Sequence, residues 1–486
     1  MTRLLIYIFV AAMAAVASAQ GLTARDGAKA YSKHLEYLDS NPDSAAYYMG
    51  EAARLMPDSA AMQIMAGKYF ADCQGDYARA MDYFSRAMGL AQQQYGANSI
   101  AVADCYINIA DLLAATADYD RAVRYYQQAL KIYNKTTGDK EAKVAICYNN
   151  IANAYKGKGD FENAQDYYRK ALKIFRQTEG KKGQSVALCY NNMANAYTEE
   201  GDIYNALSNY NKALKIWQKT VGEESAEVAD LYAARAMAHS AIEDYDAALE
   251  DLGNALATDS LLFGGVSQKV ADCYLSIAGV FNAGGDAQKA LEYYGKALGV
   301  EKRLYSENHP LVAAVYNDMG SVYFNQGLYS KAMECFAKAL QIQQQFLDEN
   351  NPDLATTYNN IGNVFFTQKK YDPALQYHLK ALDIWSKCYG TNSDAAAYAL
   401  KNVGEIYLEQ GNYTEAFNCL KKALDIYYAI DKNSLYVELI STEIGMVYNL
   451  ARESGITLAG YPALMKQYPS LFDKNGKRAS YPLLIF

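Results

Sequence analysis

From Cys147 the chain runs through two apolar stripes in succession. Tyr148, Ile151, Ala152 and Tyr155 fall at i, i+3, i+4 and i+7, one face of a helix. Gly159-Asp160 interrupts the pattern as a turn does. Ala164, Tyr168, Ala171, Leu172 and Phe175 then form a second stripe of the same period, closed by Gly180 and Gly183. Alanines stand where two helices must approach closely, and tyrosines where gaps must be filled. The spacing predicts an antiparallel helix pair, and one pair cannot bury both of its faces, so it must stack on copies of itself.

The copies are present. The turn recurs nine times at a period of 42 residues without insertion, from Gly75-Asp76-Tyr77 to Gly411-Asn412-Tyr413. Three residues after each turn comes an alanine, Ala80 to Ala416, and seven later another, Ala87 to Ala423. A tenth first helix around Glu443–Tyr448 arrives one residue early and is expected to cap the stack. One copy is weak: its first helix carries Ala233, Ala234, Ala236 and Ala238, and it exits through Leu261-Leu262-Phe263-Gly264-Gly265. That copy is expected to be the softest point and to divide the array into two better-formed halves. Residues 20–57 read as an irregular N-terminal helix pair, 58–453 as the array with its capping helix, and 454–486 as a tail outside the repeat. In the tail, Asp473–Lys477 reads as a hairpin turn. The apolar end, Leu483–Phe486, is expected to pack on the last helices.

At Tyr148, Ile151, Ala152, Tyr155, Gly159, Phe161, Ala164, Tyr168 and Ala171 the unit resembles the tetratricopeptide repeat. It departs from the family pattern in its 42-residue period and in lacking the closing proline. With linkers such as Glu307–Pro310 and Asn350–Asp353 it is similar to the long repeats of kinesin light chains and related bacterial proteins. The resemblance implies an all-α fold, a right-handed superhelical solenoid of antiparallel helix pairs. It also implies that the first helices line a concave groove that binds protein.

Met1–Ala19 reads as a cleavable signal peptide: Arg3, an apolar run from Leu4 to Val16, then Ala17-Ser18-Ala19. No Cys follows for a lipid anchor, and no later stretch has the ~20 apolar residues that a membrane span needs. The expected location is periplasmic or extracellular. Lys and Arg number 46 against 54 Asp and Glu; without Arg3 the balance is 45 against 54, a net charge of −9. No basic stripe appears, which argues against nucleic acid as a partner. His34, His239, His309 and His378 stand alone, and no P-loop, dinucleotide fingerprint or nucleophile elbow is present. Neither an enzyme nor a cofactor is expected. Cys105, Cys147, Cys189 and Cys273 share one place in successive first helices, and Cys335 and Cys419 one in second helices. Neighbouring helices pack about 8–10 Å apart, beyond the ~7 Å a disulfide tolerates, so these thiols are expected to be free and buried.

The first helices also carry a recurrent set of amides: Asn108 and Asp111; Asn149, Asn150 and Asn153; Asn191, Asn192 and Asn195; Asn317; Asn359, Asn360 and Asn363; and Asn402. Helix propensity does not account for them. An amide offers both donors and an acceptor, which suits the backbone of an extended peptide. Two readings stay open: these residues bind peptide, with Lys156, Glu199 and Glu405 giving selectivity, or they support the repeat itself. On the first reading, alanine at Asn153, Asn195 or Asn363 should leave folding nearly unchanged. The expected function is an exported scaffold or adaptor holding a peptide or partner protein in the groove. The alternative is a sensor for a small molecule or glycan fragment of the cell envelope.

Overall fold

The computed structural model of the chain describes residues 22–472 apart from 39, 139 and 140. The signal sequence at 1–19 and the turn and apolar end at 473–486 lie outside the described residues. Among the described residues there are helices and no strands. The chain divides into two compact units, one ending at Asp251 and one beginning at Leu252.

The first unit contains α1 (Leu22–Tyr37), α2 (Pro42–Leu55), α3 (Ala60–Asp72), α4 (Tyr77–Tyr95), α5 (Ile100–Ala115), α6 (Tyr119–Thr136), α7 (Ala142–Gly157), α8 (Phe161–Thr178), α9 (Gln184–Glu200), α10 (Ile203–Thr220) and α11 (Ala226–Ala241). The boundary falls inside α12 (Tyr245–Phe263). The second unit continues with α13 (Gln268–Ala283), α14 (Ala287–Tyr305), α15 (Pro310–Asn325), α16 (Tyr329–Phe346), α17 (Pro352–Thr367), α18 (Tyr371–Tyr389), α19 (Asp394–Glu409), α20 (Tyr413–Ile430), α21 (Leu435–Glu453) and the short α22 (Tyr461–Gln467). From α3 to α20 odd-numbered helices are the first of a pair and even-numbered ones the second. Each pair that lies within one unit packs on itself, and neighbouring pairs within a unit pack on each other.

The turn between the helices of a pair shows why the period holds. The chain must leave the first helix through a left-handed residue, which is glycine in six of the nine copies, Gly159 at φ 75° among them. Ala117 (φ 59°), Glu243 (φ 61°) and Lys369 (φ 58°) hold the same conformation without glycine, at a cost of about 1–2 kcal/mol each. The next residue caps the second helix: Asp76, Asp118, Asp160, Asp202 and Asp286 each accept a backbone N–H three residues on. Behind the turn, both alanine rows, Ala80 to Ala416 and Ala87 to Ala423, are 0% exposed in every copy. At these crossings a larger side chain would overpack the core, typically by 1–3 kcal/mol. Gly320 is tighter still: a Cβ there would lie 2.5 Å from the Phe336 ring.

The second helices bury one large residue near their C-terminal ends: Tyr133, Phe175, Trp217, Trp385 and Tyr427. At the same place in the intervening copies stand Asp259, Glu301 and Gln343, 3%, 1% and 2% exposed. They are met by polar groups. Cys273 Sγ lies 3.5 Å from Asp259 Oδ2, Gln268 Nε2 donates to Glu301 at 2.9 Å, and Thr357 Oγ1 donates to Gln343 at 2.6 Å. Part of the second unit is thus joined by buried polar contacts where five other copies use rings.

The alanine-rich copy has its own substitution. Arg235 sits where Ile151 and Met193 pack in earlier first helices, and Asp251 where Tyr125 and Tyr167 stand. The guanidinium donates to both Asp251 oxygens at 2.7 and 2.5 Å, and to Asn211 Oδ1 at 2.5 Å. With side chains only 17% and 4% exposed, this is a buried, bidentate ion pair in place of an apolar contact. All eight cysteines are free; those at 105, 147, 189, 273 and 335 are buried, and Cys388, outside the series, donates to the Asn350 carbonyl. The described part of the tail packs on the last helices: Tyr461, Leu464, Tyr468 and Phe472 are buried in one cluster with residues of α20 and α21.

Asp251→Ala, which leaves Arg235 buried and unpaired, should destabilise the first unit by about 3–5 kcal/mol in denaturant unfolding. Arg235→Ile with Asp251→Tyr, which restores the apolar pair, should recover most of that loss.

Candidate functional site

The amide row is built by helix phase. On α7, residues 146, 150 and 153 fall at i, i+4 and i+7, so Ile146, Asn150 and Asn153 share a face. On α9, Leu188, Asn192 and Asn195 do the same. Ile146 and Leu188 are 46% and 44% exposed, so this face carries apolar side chains in water beside amides.

The amides are tied to the scaffold in two directions. Along the stack, Asn192 Nδ2 donates to Asn149 Oδ1 of the preceding pair at 3.0 Å, and Asn150 Nδ2 to Asp111 Oδ1 at 3.4 Å. Across three successive pairs of the first unit, a tyrosine of the second helix donates its hydroxyl to the same first-helix position. Tyr126 donates to Asp111 at 2.6 Å, Tyr168 to Asn153 at 2.5 Å and Tyr210 to Asn195 at 2.6 Å. These rings are buried, at 3%, 0% and 2% exposure. The Tyr168 and Tyr210 hydroxyls fix the Oδ1 of Asn153 and Asn195 toward the core, which turns their two Nδ2 hydrogens away from it. Asn108 instead donates to the Asp104 carbonyl of its own helix at 2.8 Å, and Asn191 is half-buried with Oδ1 lacking a hydrogen-bond partner among the described residues.

Charged groups also bridge successive first helices. Lys143 pairs with Asp104 at 2.8 Å and Lys156 with Glu199 at 2.5 Å, so Lys156 and Glu199 act on each other across one repeat.

The second unit has its own, different row. Asn402 Nδ2 donates to Asn359 Oδ1 at 2.9 Å, repeating the Asn192–Asn149 contact, and His378 Nδ1 lies 3.1 Å from that same oxygen. His378 occupies the place of Tyr168, and burial, with help from the Lys401 charge, lowers its pKa to about 4. Asn317 is buried and donates to Thr357 Oγ1 at 2.6 Å, while Asn360 and Asn363 are half-buried on α17. Next along, Lys401 pairs with Glu405 at 2.6 Å and lies 3.8 Å from Glu443 of α21. One lysine serves two carboxylates there. Burial, then repulsion from Glu405, raises the Glu443 carboxyl to about 8 against the pull of Lys401.

The structure therefore gathers the sequence-selected residues into two separate rows, one per unit. The sequence reading missed the tyrosines that aim the first row, although their signal was present: Tyr126, Tyr168 and Tyr210 recur fifteen residues after Asp111, Asn153 and Asn195. It also missed that alanine at Asn153 would strand a buried hydroxyl, so the expectation of unchanged folding does not follow.

Stacked antiparallel pairs with amides on the first helices are a tetratricopeptide arrangement. The chain belongs to the tetratricopeptide repeat family, whose profile matches residues 60–135, 118–177, 143–202, 185–260, 269–345, 312–379 and 353–429. Similar solved structures include BtubC (BKLC) from P. vanneervenii, at 24% identity over 47% of this chain and 90% of that one, with a TM-score of 0.41. A putative kinesin light chain of Podosopora anserina with nearly identical TPR-like repeats matches at 15% identity over 43% of this chain and 100% of its own, with a TM-score of 0.36. The apo form of RapI matches at 16% identity over 57% of this chain and 98% of its own, with a TM-score of 0.42. No curated protein matches the chain.

Asn153→Ala should cost about 1–3 kcal/mol by leaving the Tyr168 hydroxyl unpaired, whereas Asn153→Asp, which keeps the acceptor as Asp111 does for Tyr126, should cost far less. Thermal unfolding of the two variants makes the comparison. The pH dependence of the α19–α21 region follows from Glu443. Its folded pKa lies above the unfolded value, so its stabilising contribution is complete below about 4.5 and is lost as pH rises toward about 8. Glu443→Gln should remove that loss, seen as slower hydrogen exchange in α21 at pH 8 than in the parent protein.

Proposed function

We propose that the protein is an exported tetratricopeptide scaffold without catalytic activity that holds an extended peptide of a partner protein along the first-helix face of its N-terminal unit. The observation that carries this reading is the set of core tyrosines that fix Asn153 and Asn195 with their Nδ2 donors turned away from the core, beside exposed Ile146 and Leu188. Outward donors repeated once per pair suit the carbonyl oxygens of an extended chain, which advances about 3.3 Å per residue and so passes about three residues per helix spacing. Ile146 and Leu188 would receive apolar side chains of the peptide. The salt bridge between Lys156 and Glu199 would contribute selectivity by exchanging partners with charged side chains of the ligand.

Export rests on the pattern at Met1–Ala19, and no described helix is long and apolar enough to cross a membrane. The buried thiols of the repeat are shielded from oxidation: burial raises Cys105 to about 11 and Cys147 and Cys189 to about 12.

The test is selection of unstructured peptides on residues 20–486, followed by affinity measurement on the Asn153→Asp, Asn195→Asp variant. Each substitution keeps the acceptor for its tyrosine and removes the Nδ2 donors. Binding should weaken by about 1–3 kcal/mol for two lost hydrogen bonds, with the melting temperature nearly unchanged. Peptides that bind the variant as tightly as the parent would refute the reading.

A further inference from the structure

Every second helix of the second unit ends on a large apolar side chain that stands in water. α12 ends at Phe263, α14 at Tyr305, α16 at Phe346, α18 at Tyr389 and α20 at Ile430. They are 47%, 41%, 57%, 57% and 57% exposed. The first unit closes its second helices differently. α6, α8 and α10 end on Thr136, Thr178 and Thr220, and each threonine donates its hydroxyl to the carbonyl four residues back. Before them, α4 ends on the exposed Tyr95.

Equivalent helix ends in stacked pairs lie side by side, about 10 Å apart, so the five residues form one row roughly 40 Å long. A contact between copies fixes that alignment: Cys388 Sγ, beside Tyr389, donates to the Asn350 carbonyl in the turn after Phe346 at 2.8 Å. The Tyr305 ring lies on His309 of its own turn, with centroids 4.3 Å apart, which props it at the surface. Leu262 and Val266 flank Phe263, and Leu435 follows Ile430; they are 43%, 42% and 66% exposed and extend the row at its two ends.

We propose that this row is the contact surface for a second copy of the chain, in a two-fold dimer joined through the second unit. Area is the first argument. At about 150–250 Å² for a large side chain, these exposures amount to roughly 800 Å² per chain. That exceeds the patch of about 300–600 Å² that a monomer ordinarily shows, and it matches the ~800 Å² per partner of a standard interface. Symmetry is the second. A two-fold contact needs a self-complementary patch, in which residue i meets j and j meets i. A row of five laid antiparallel on its own copy meets that condition: Phe346 faces Phe346, Tyr305 faces Tyr389 and Phe263 faces Ile430. Charge is the third. Within a helical turn of these junctions stand Lys269, Lys302, Arg303, Lys387 and Lys432. Opposed to them are Glu307, Asp348, Glu349, Asp353, Asp394, Asp431 and Glu438. An edge of mixed sign lacks the basic excess that nucleic acid or an anionic membrane selects. None of these residues belongs to the amide face of the first unit, so the dimer carries two copies of that face, and a ligand with two matching segments gains from both.

The experiment is sedimentation equilibrium of the full chain over a wide range of concentration. The parent should sediment as a dimer. Phe346→Glu with Tyr389→Glu, both at exposed positions, should raise the dissociation constant at least about a hundredfold and leave the melting temperature unchanged. The register is read with a short bismaleimide in a Cys73→Ser, Cys388→Ser background, which lacks the two exposed thiols. Phe346→Cys alone should link two chains, because it sits on the two-fold axis. Phe263→Cys alone should not, and Phe263→Cys with Ile430→Cys should. A parent that stays monomeric at every concentration overturns the proposal, and does so equally if that monomer binds lipid vesicles. A dimer that persists in the Phe346→Glu, Tyr389→Glu variant also overturns it, as does linkage through Phe263→Cys alone.

Discussion

The close approach of paired helices at the two alanine rows is the constraint on which the rest depends. Every alanine of both rows is fully buried, in nine successive pairs. With a methyl group at each crossing the helices come near enough for the long side chains beside the crossing to interdigitate; a larger group would hold them apart. The strict 42-residue period is a consequence. An inserted residue would rotate the second alanine about 100° off the contact.

Given that packing, the rings between the helices reach particular atoms. Tyr168 is buried by the pair and still places its hydroxyl on Asn153, at the exposed face of the partner helix. A core residue thereby sets the orientation of a surface amide. The amide is held by the same tyrosine that fills the core, so surface chemistry and stability are coupled at this position. The proposed peptide site depends on this coupling: donors that are already aimed lose little freedom when a ligand arrives.

The two units solve the packing problem with different chemistry. From Tyr133 to Trp217 the first uses rings in the large second-helix position, and its cores are extensive. The second starts with Asp259, Glu301 and Gln343 in that place and returns to rings at Trp385 and Tyr427. Buried polar contacts exchange one set of hydrogen bonds for another and yield less than apolar burial of the same volume. The Arg235–Asp251 pair lies at the end of the first unit, where the alanine-rich helix also offers little side-chain surface. The transition between units thus coincides with a change from apolar to polar interior.

What the sequence determined by itself was the fold and which residues face one another within a helix. Both follow from periodicity, and a nine-fold repeat makes the phase unambiguous. The burial of the cysteine series was legible for the same reason. The sequence singled out the amides but left open whether they bind or support, because that depends on which atom of each side chain is already engaged. Only the tertiary structure showed Asn149 spent on Asn192, Asn153 aimed by Tyr168, Lys156 answered by Glu199, and two carboxylates sharing Lys401. Apart from Lys401–Glu405 within one helix, these contacts join residues 15 to 43 positions apart in the chain. Their distances depend on how one helix is rotated and shifted against the next, and a pattern read along a single helix carries no information about either.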